Sequence, residues 1–186
     1  MAEVWEQLWD VAVDQYGYVT SADAGALGLA PTVLGKMASR RRLERVGFGL
    51  YRFPQWPVSG NDSLIEAVLW TREPTAVLSH DTALDVLDLC DVNPAKIHIT
   101  IPKQRPLRRA VTPDLYVLHR ENLTENQRGW WEQIPTVTPD TAIRQGIVDG
   151  LRPTLVTQAI DTALKRSLID DATATHRRRE LEERYR

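Results

Sequence analysis

Gly17, Gly28 and Pro31 cut the first forty residues into three helical segments, each too short to hide its apolar stripe except against the others. Val4, Trp5, Leu8, Trp9, Val11 and Ala12 recur at three- and four-residue intervals, which puts them on one side of a helix from about Ala2 to Tyr16. Gly17 stops that helix, and Tyr18 and Val19 take a short extended step. The hydroxyl of Thr20 or Ser21 then caps a second helix running through Leu27. Gly28 breaks the chain again, and Pro31, tolerated in a first turn because it lacks an N–H, opens a third helix to Arg41. Leu43 to Val46 and Leu50 to Phe53 alternate as two short strands around Gly47-Phe48-Gly49, where glycines permit a tight reversal. Two short helices across a Gly-containing turn, followed by a hairpin, predict a winged helix-turn-helix over residues 1–58.

The net charge of −2 argues against a nucleic-acid partner until its distribution is considered. Residues 1–30 carry Glu3, Glu6, Asp10, Asp14 and Asp23 and no Lys or Arg. Residues 31–52 reverse the sign, with Lys36, Arg40, Arg41, Arg42, Arg45 and Arg52 opposed only by Glu44. On the third helix Val33, Leu34, Met37 and Ala38 fall on the core side. Thr32, Gly35, Lys36, Ser39 and Arg40 fall on the other, a set small and polar enough to approach a major groove closely. Arg42, Arg45 and Arg52 are expected beside phosphates, and Phe48 is either an aromatic tip on the wing or a packing residue.

Pro54, Pro57, Ser59 and Gly60 form a linker, so a second domain is expected over residues 59–186. Asp62 is read as the cap of an apolar helix containing Leu64, Ile65, Val68 and Leu69, and Ser79 as the cap of another from His80 to Leu89. Lys96 to Ile101 and Leu115 to His119 alternate as strands. Amphipathic helices follow over Pro139 to Val148, Pro153 to Ser167 and Ala172 to Tyr185, the last with a charge-mixed, solvated face. The fold class is therefore α+β, a winged helix-turn-helix followed by a mixed domain with a small sheet and several helices. Lys103, Arg105, Arg108 and Arg109 crowd a Pro-punctuated loop, which reads as solvated surface or as a second basic surface for phosphate or an acidic partner. Trp130 and Trp131 either pin a loop to the core or face a partner.

The sequence offers little for catalysis. His80, His98, His119 and His176 lack the short spacings that bring two imidazoles to one metal, and the single cysteine, Cys90, excludes the usual zinc frameworks, so no metal and no cofactor are expected. Asp88 and Asp91 would raise the Cys90 thiol pKa, which makes it a packing residue. No Gly-rich phosphate loop is present. Pro113-Asp114 and Pro139-Asp140 are not followed by the acidic-x-lysine element of a metal-dependent nuclease, and Ser79 and His80 read as structural. The acidic start, with Glu3 and Glu6 where a secretion signal carries basic residues, and the lack of any apolar run near ~20 residues lead to a cytoplasmic expectation.

The run YGYVTSADAGALGLAPTVLGKMASRRRLERVGFGLYRFP, Tyr16 to Pro54, resembles the amino-terminal domain of the AbiEi antitoxins of bacterial type IV toxin–antitoxin systems. The likeness lies in the Gly-hydrophobic-hydroxyl entry, the Ala24 to Leu29 turn, the basic third helix and the Arg42 to Tyr51 wing. Val77 to Leu84 and Ile97 to Pro102 look like that family's second domain, though relatives that append a restriction-like nuclease domain run on beyond the point where this sequence ends. The resemblance implies a repressor of its own operon that binds inverted repeats in double-stranded promoter DNA and counters a nucleotidyltransferase toxin of the AbiEii type. It assigns the antitoxic role to the second domain without individual residues. Two other readings stay open: an unrelated winged-helix regulator that responds to a ligand through its second domain, and a DNA-processing enzyme.

Overall fold

The computed structural model describes residues 2–104 and 113–186. The chain is α+β and divides into two compact units, Met1–Pro74 and Thr75–Arg186.

In the first unit the order is α1 (Ala2–Val13), β1 (Tyr18–Thr20), α2 (Ser21–Ala26), α3 (Val33–Ser39), β2 (Glu44–Gly47), β3 (Leu50–Arg52) and α4 (Asp62–Trp70). The three strands form one antiparallel sheet in the order β1-β3-β2, with Val19 opposite Tyr51 and Arg45 opposite Tyr51 on the other side. Thr20 caps α2 reciprocally: its Oγ1 accepts from the Asp23 N–H, and the Asp23 carboxylate accepts from the Thr20 N–H. The third helix is shorter than the sequence predicts. Pro31 and Thr32 lie in the turn before it, and α3 ends where Arg41 takes φ 57°.

The core of this unit is aromatic. Trp5 and Trp9 stack with ring centroids 4.9 Å apart, and the fully buried Phe53 meets both in T-shaped contacts at 5.6 and 5.0 Å. Leu8, Ala12, Val19, Ala24, Leu34, Met37 and Leu43 complete the cluster. The turn out of α1 depends on Gly17, whose φ is 82° and whose missing Cβ would sit 2.4 Å from Trp56 Cγ.

The boundary expected near residue 58 falls instead after α4, because α4 is tied to the small sheet. Arg52 Nη2 donates to Asp62 Oδ2 at 3.1 Å, and the Tyr18 hydroxyl donates to Glu66 Oε2 at 3.2 Å. Asn61 rather than Asp62 holds the cap position of α4, and Asp62 also accepts from the Ser59 N–H and hydroxyl.

In the second unit the order is β4 (Val77–Leu78), α5 (His80–Val86), β5 (Ile97–Ile101), β6 (Tyr116–Arg120), a 3-10 turn at Glu125–Gln127, β7 (Arg128–Trp131), β8 (Ile134–Val137), α6 (Pro139–Asp149), α7 (Pro153–Lys165) and α8 (Asp171–Arg184). Five strands form a mixed sheet, β6-β5-β4-β8-β7, with β5/β6 and β4/β8 parallel. The pair β7/β8, in a stretch where the sequence suggests a loop, is an antiparallel hairpin at the sheet edge. It leaves Trp130 exposed and Trp131 half-buried. Helices α5 to α8 bury Leu84, Ile143, Ile147, Val156, Ile160 and Leu181 in one apolar cluster, and Gly146 lets α6 approach Leu84.

Helix α8 departs from the expected solvated face at Arg177. That guanidinium is buried and pairs with both oxygens of Asp140 at 2.7 Å while a third nitrogen reaches Glu180, tying α8 to the start of α6. Cys90 is buried and free, and burial, reinforced by Asp81, Asp91 and Asp85, pushes its thiol up to about 11, which fits packing. Among the described residues no helix is long and apolar enough to cross a membrane.

Gly17→Ala, which must leave the left-handed region and displace Trp56, lowers unfolding free energy by about 1–3 kcal/mol in urea titrations. Burial raises the Glu66 carboxyl pKa above its usual value, so the folded chain holds a proton that the unfolded chain releases earlier. The resulting stability is fully present below the unfolded value and is lost as pH rises through the raised one. Glu66→Gln, which keeps an oxygen for Tyr18 to donate to, therefore flattens this segment of the pH–stability curve. A curve parallel to the wild type there would remove Glu66 as its source.

Candidate functional site

The structure gives α3 two distinct sides. Leu34 and Met37 turn into the aromatic core, whereas Thr32, Gly35, Lys36, Ser39 and Arg40 are all exposed on the opposite side of α3 and its ends. The exposed surface continues through Arg41 and Arg42 to Arg45 on β2. Arg45 Nε reaches the Gly47 carbonyl at 3.4 Å, within the bulged pairing of β2 with β3. Phe48 stands at the hairpin turn with 67% of its surface exposed, and the Arg72 guanidinium lies 5.4 Å from its ring centre. It is a tip residue rather than a core residue.

Arg52 corrects the sequence reading. It is only 8% exposed, donates to the Pro57 carbonyl and to Asp62, and lies 5.5 Å from the Tyr18 ring centre. A guanidinium already committed to a carboxylate, a carbonyl and an aromatic face holds the unit together and is not offered to a phosphate. Of the second basic surface, Lys103 is exposed on the chain after β5, its N–H donating to Asn122 Oδ1 at 3.0 Å. Arg105, Arg108 and Arg109 lie outside the described residues.

A second constellation, which sequence spacing conceals, lies in the second unit. His98 on β5 is paired in parallel register with Val117, so His119, two residues further along β6, projects on the same face of the sheet. His80, the first residue of α5, completes the group. His98 Nδ1 and His119 Nε2 are 3.0 Å apart, and the His80 and His119 rings stack with centroids 3.4 Å apart. The Asp149 carboxylate at the end of α6 lies 3.6 Å from His80 Nε2 and 3.7 Å from His119 Nδ1. Three of the four histidines expected to be scattered therefore converge, with one ring nitrogen from each within 4.8 Å of the others.

His80 is held in an unfavourable backbone state. It is 5% exposed with φ 51°, and its N–H donates to the Gln145 side chain at 3.1 Å. Such a conformation costs on the order of 1–3 kcal/mol for a side chain other than glycine, and persists only where neighbours over-determine it. Gln145 in turn donates to Glu121, which also pairs with Arg144. Ser79 sits at the cap position of α5, but its hydroxyl engages His80 Nδ1 at 3.0 Å instead of the helix N–H groups.

Burial lowers the pKa of all three imidazoles. His80 goes down to about 3, helped by His119, His98 and Arg144, while the nearby carboxylates of Asp149 and Asp81 only partly oppose the shift at His98 and His119. All three rings are neutral near pH 7. Ser79, His80 and Asp149 line up like a hydrolytic triad, but Ser79 is fully buried and a histidine with so low a pKa is a weak general base at neutral pH.

No family model matches the chain, and no curated protein matches it. Among solved structures it is similar to the RV2827C protein from Mycobacterium tuberculosis, whose crystal structure aligns with a TM-score of 0.52 at 14% identity over 94% of this chain and 71% of that one. At that identity the likeness speaks to the fold alone, and it accords with an α+β chain.

Arg52→Ala strands Asp62 and is expected to cost about 3 kcal/mol of stability in urea unfolding. Arg45→Ala, on the exposed hairpin, is expected to change stability by no more than about 0.5 kcal/mol. Equal losses would contradict the division of the arginines drawn above.

Proposed function

We propose that the first unit is a winged helix-turn-helix that binds double-stranded DNA, with α3 as the helix entering the major groove and the β2–β3 hairpin as the wing. The observation that carries this reading is the two-sidedness of α3: Leu34 and Met37 are buried, and Thr32, Gly35, Lys36, Ser39 and Arg40 are exposed. Gly35 places no side chain between the helix backbone and a groove, with nothing within 4 Å of its missing Cβ. Ser39 Oγ donates to the Lys36 carbonyl, which keeps the outward face low. Lys36, Arg40, Arg42 and Arg45 supply the cations that release counterions from phosphates.

On the resemblance of Tyr16 to Pro54 to AbiEi antitoxins, we propose further that the chain represses its own operon through inverted repeats and counters a co-expressed nucleotidyltransferase toxin. The neutralising role falls to the second unit.

The test is a fluorescence-anisotropy titration of the full chain against its own upstream DNA and a scrambled duplex at two salt concentrations. The upstream duplex is expected to bind more tightly, with affinity falling steeply as salt rises. The triple variant Lys36→Ala, Arg40→Ala, Arg45→Ala loses up to about 0.9 log units of slope per phosphate contact removed. An unchanged slope in the folded variant defeats the face assignment. Equal affinity for the two duplexes defeats the repressor reading, and failure to rescue cells from the neighbouring toxin defeats the antitoxin reading.

A further inference from the structure

We propose that His80, His98 and His119, with the carboxylate of Asp149, form a binding site for one zinc-class divalent cation in the second unit. Three neutral imidazoles and one carboxylate are a donor set for Zn2+, Co2+ or Ni2+, and a poor one for Mg2+ or Ca2+, which favour all-oxygen shells. The three imidazoles come from three different elements, α5, β5 and β6, with Asp149 of α6 beside His80 Nε2 and His119 Nδ1, so their meeting is a product of the tertiary fold and not of a local turn.

Three further observations point to a ligand here. His80 occupies a left-handed backbone conformation although buried, and Gln145 holds it there, which aims its ring at the other two. Ser79 Oγ engages His80 Nδ1, leaving Nε2 on the Asp149 side, as a hydrogen bond to the second ring nitrogen fixes a metal-binding histidine. Thr100, the register partner of His119 on the same sheet face as His98, is 1% exposed, and its hydroxyl oxygen has no hydrogen-bond partner among the described residues. Buried polar atoms without partners concentrate where water or an ion belongs.

Tetrahedral coordination at zinc–nitrogen distances of about 2.0–2.1 Å sets ligand nitrogens about 3.3–3.5 Å apart. The present spread of up to 4.8 Å therefore requires side-chain adjustments on the order of 1 Å. Binding replaces the His98–His119 hydrogen bond and the His80–His119 stack. A bound cation would join the first turn of α5, strands β5 and β6 and the end of α6, stabilising the second unit by mass action.

The experiment titrates the chelator-treated full chain with Zn2+ by calorimetry and with Co2+ by visible absorption, with Mg2+ as the control. One equivalent of Zn2+ is expected to bind at micromolar Kd or tighter and to raise Tm, and Co2+ is expected to give the intense bands of a four-coordinate site. His98→Ala and His119→Ala each weaken binding by about 100-fold or more, and Asp149→Asn by about 10-fold. His176→Ala, remote from the cluster, leaves it unchanged. Should the histidine variants fail to fold, the ring nitrogen NMR signals of the wild-type chain decide: Zn2+ shifts three histidines and leaves His176. Absence of Zn2+ and Co2+ binding, affinity unaltered in folded variants, or shifts confined to His176 would each overturn the proposal.

Discussion

Phe53, fully buried and packed at near right angles against two stacked indoles, is the contact on which the first unit is built. Trp5 and Trp9 lie on α1 and Phe53 follows β3, so this one cluster holds a helix against the end of a strand more than forty residues later. Gly17 makes it possible by leaving room for Trp56, which sits 5.3 Å from Trp9. With α1 and β3 fixed, Leu34 and Met37 have one apolar surface to meet, and the outward side of α3 is determined by elimination. The orientation of the proposed DNA face is thus set by aromatic packing on the far side of the helix, and its charges play no part in forming it.

That division explains which parts of the fold were legible in advance. Periodicity reports burial, so the core side of α3 and the strands β5 and β6 followed from residue spacing, while the hydroxyls of Thr20 and Ser21 offered a cap for α2 that the structure assigns to Thr20. Charge reports only sign. Arg45 and Arg52 look alike in sequence, and only the fold shows that one stands on an exposed hairpin while the other is enclosed by Asp62, Pro57 and Tyr18. Arg177 is the same lesson on α8, where a run of mixed charge conceals one buried guanidinium bound to Asp140. The boundary near residue 58 went astray for a related reason. A Pro- and Gly-containing stretch marks a loop, but the ion pair that carries α4 back to the first sheet crosses that loop.

The histidine cluster was illegible because its geometry comes from pairing. His98 and His119 meet through the parallel register of β5 and β6, and His80 joins them through the turn from β4 into α5. Metal motifs that can be read from sequence rely on ligands one helical turn or one tight loop apart, and nothing of that kind is present. The available signal was indirect. His98 and His119 each sit within an alternating strand pattern on the half-buried side, and Ser79-His80 lies at a strand-to-helix junction. The strain at His80 and the unpartnered hydroxyl of Thr100 add what spacing cannot show, that this part of the sheet is built around polar groups left incomplete by their neighbours.

Backbone amide chemical shifts of the full chain with and without an upstream duplex test, residue by residue, the proposal that the first unit meets DNA through α3 and the β2–β3 hairpin. The account predicts perturbation concentrated from Thr32 to Phe48, with Leu8, Phe53 and the strands of the second unit little changed. Perturbation confined to the second unit, or spread evenly over both, would contradict it.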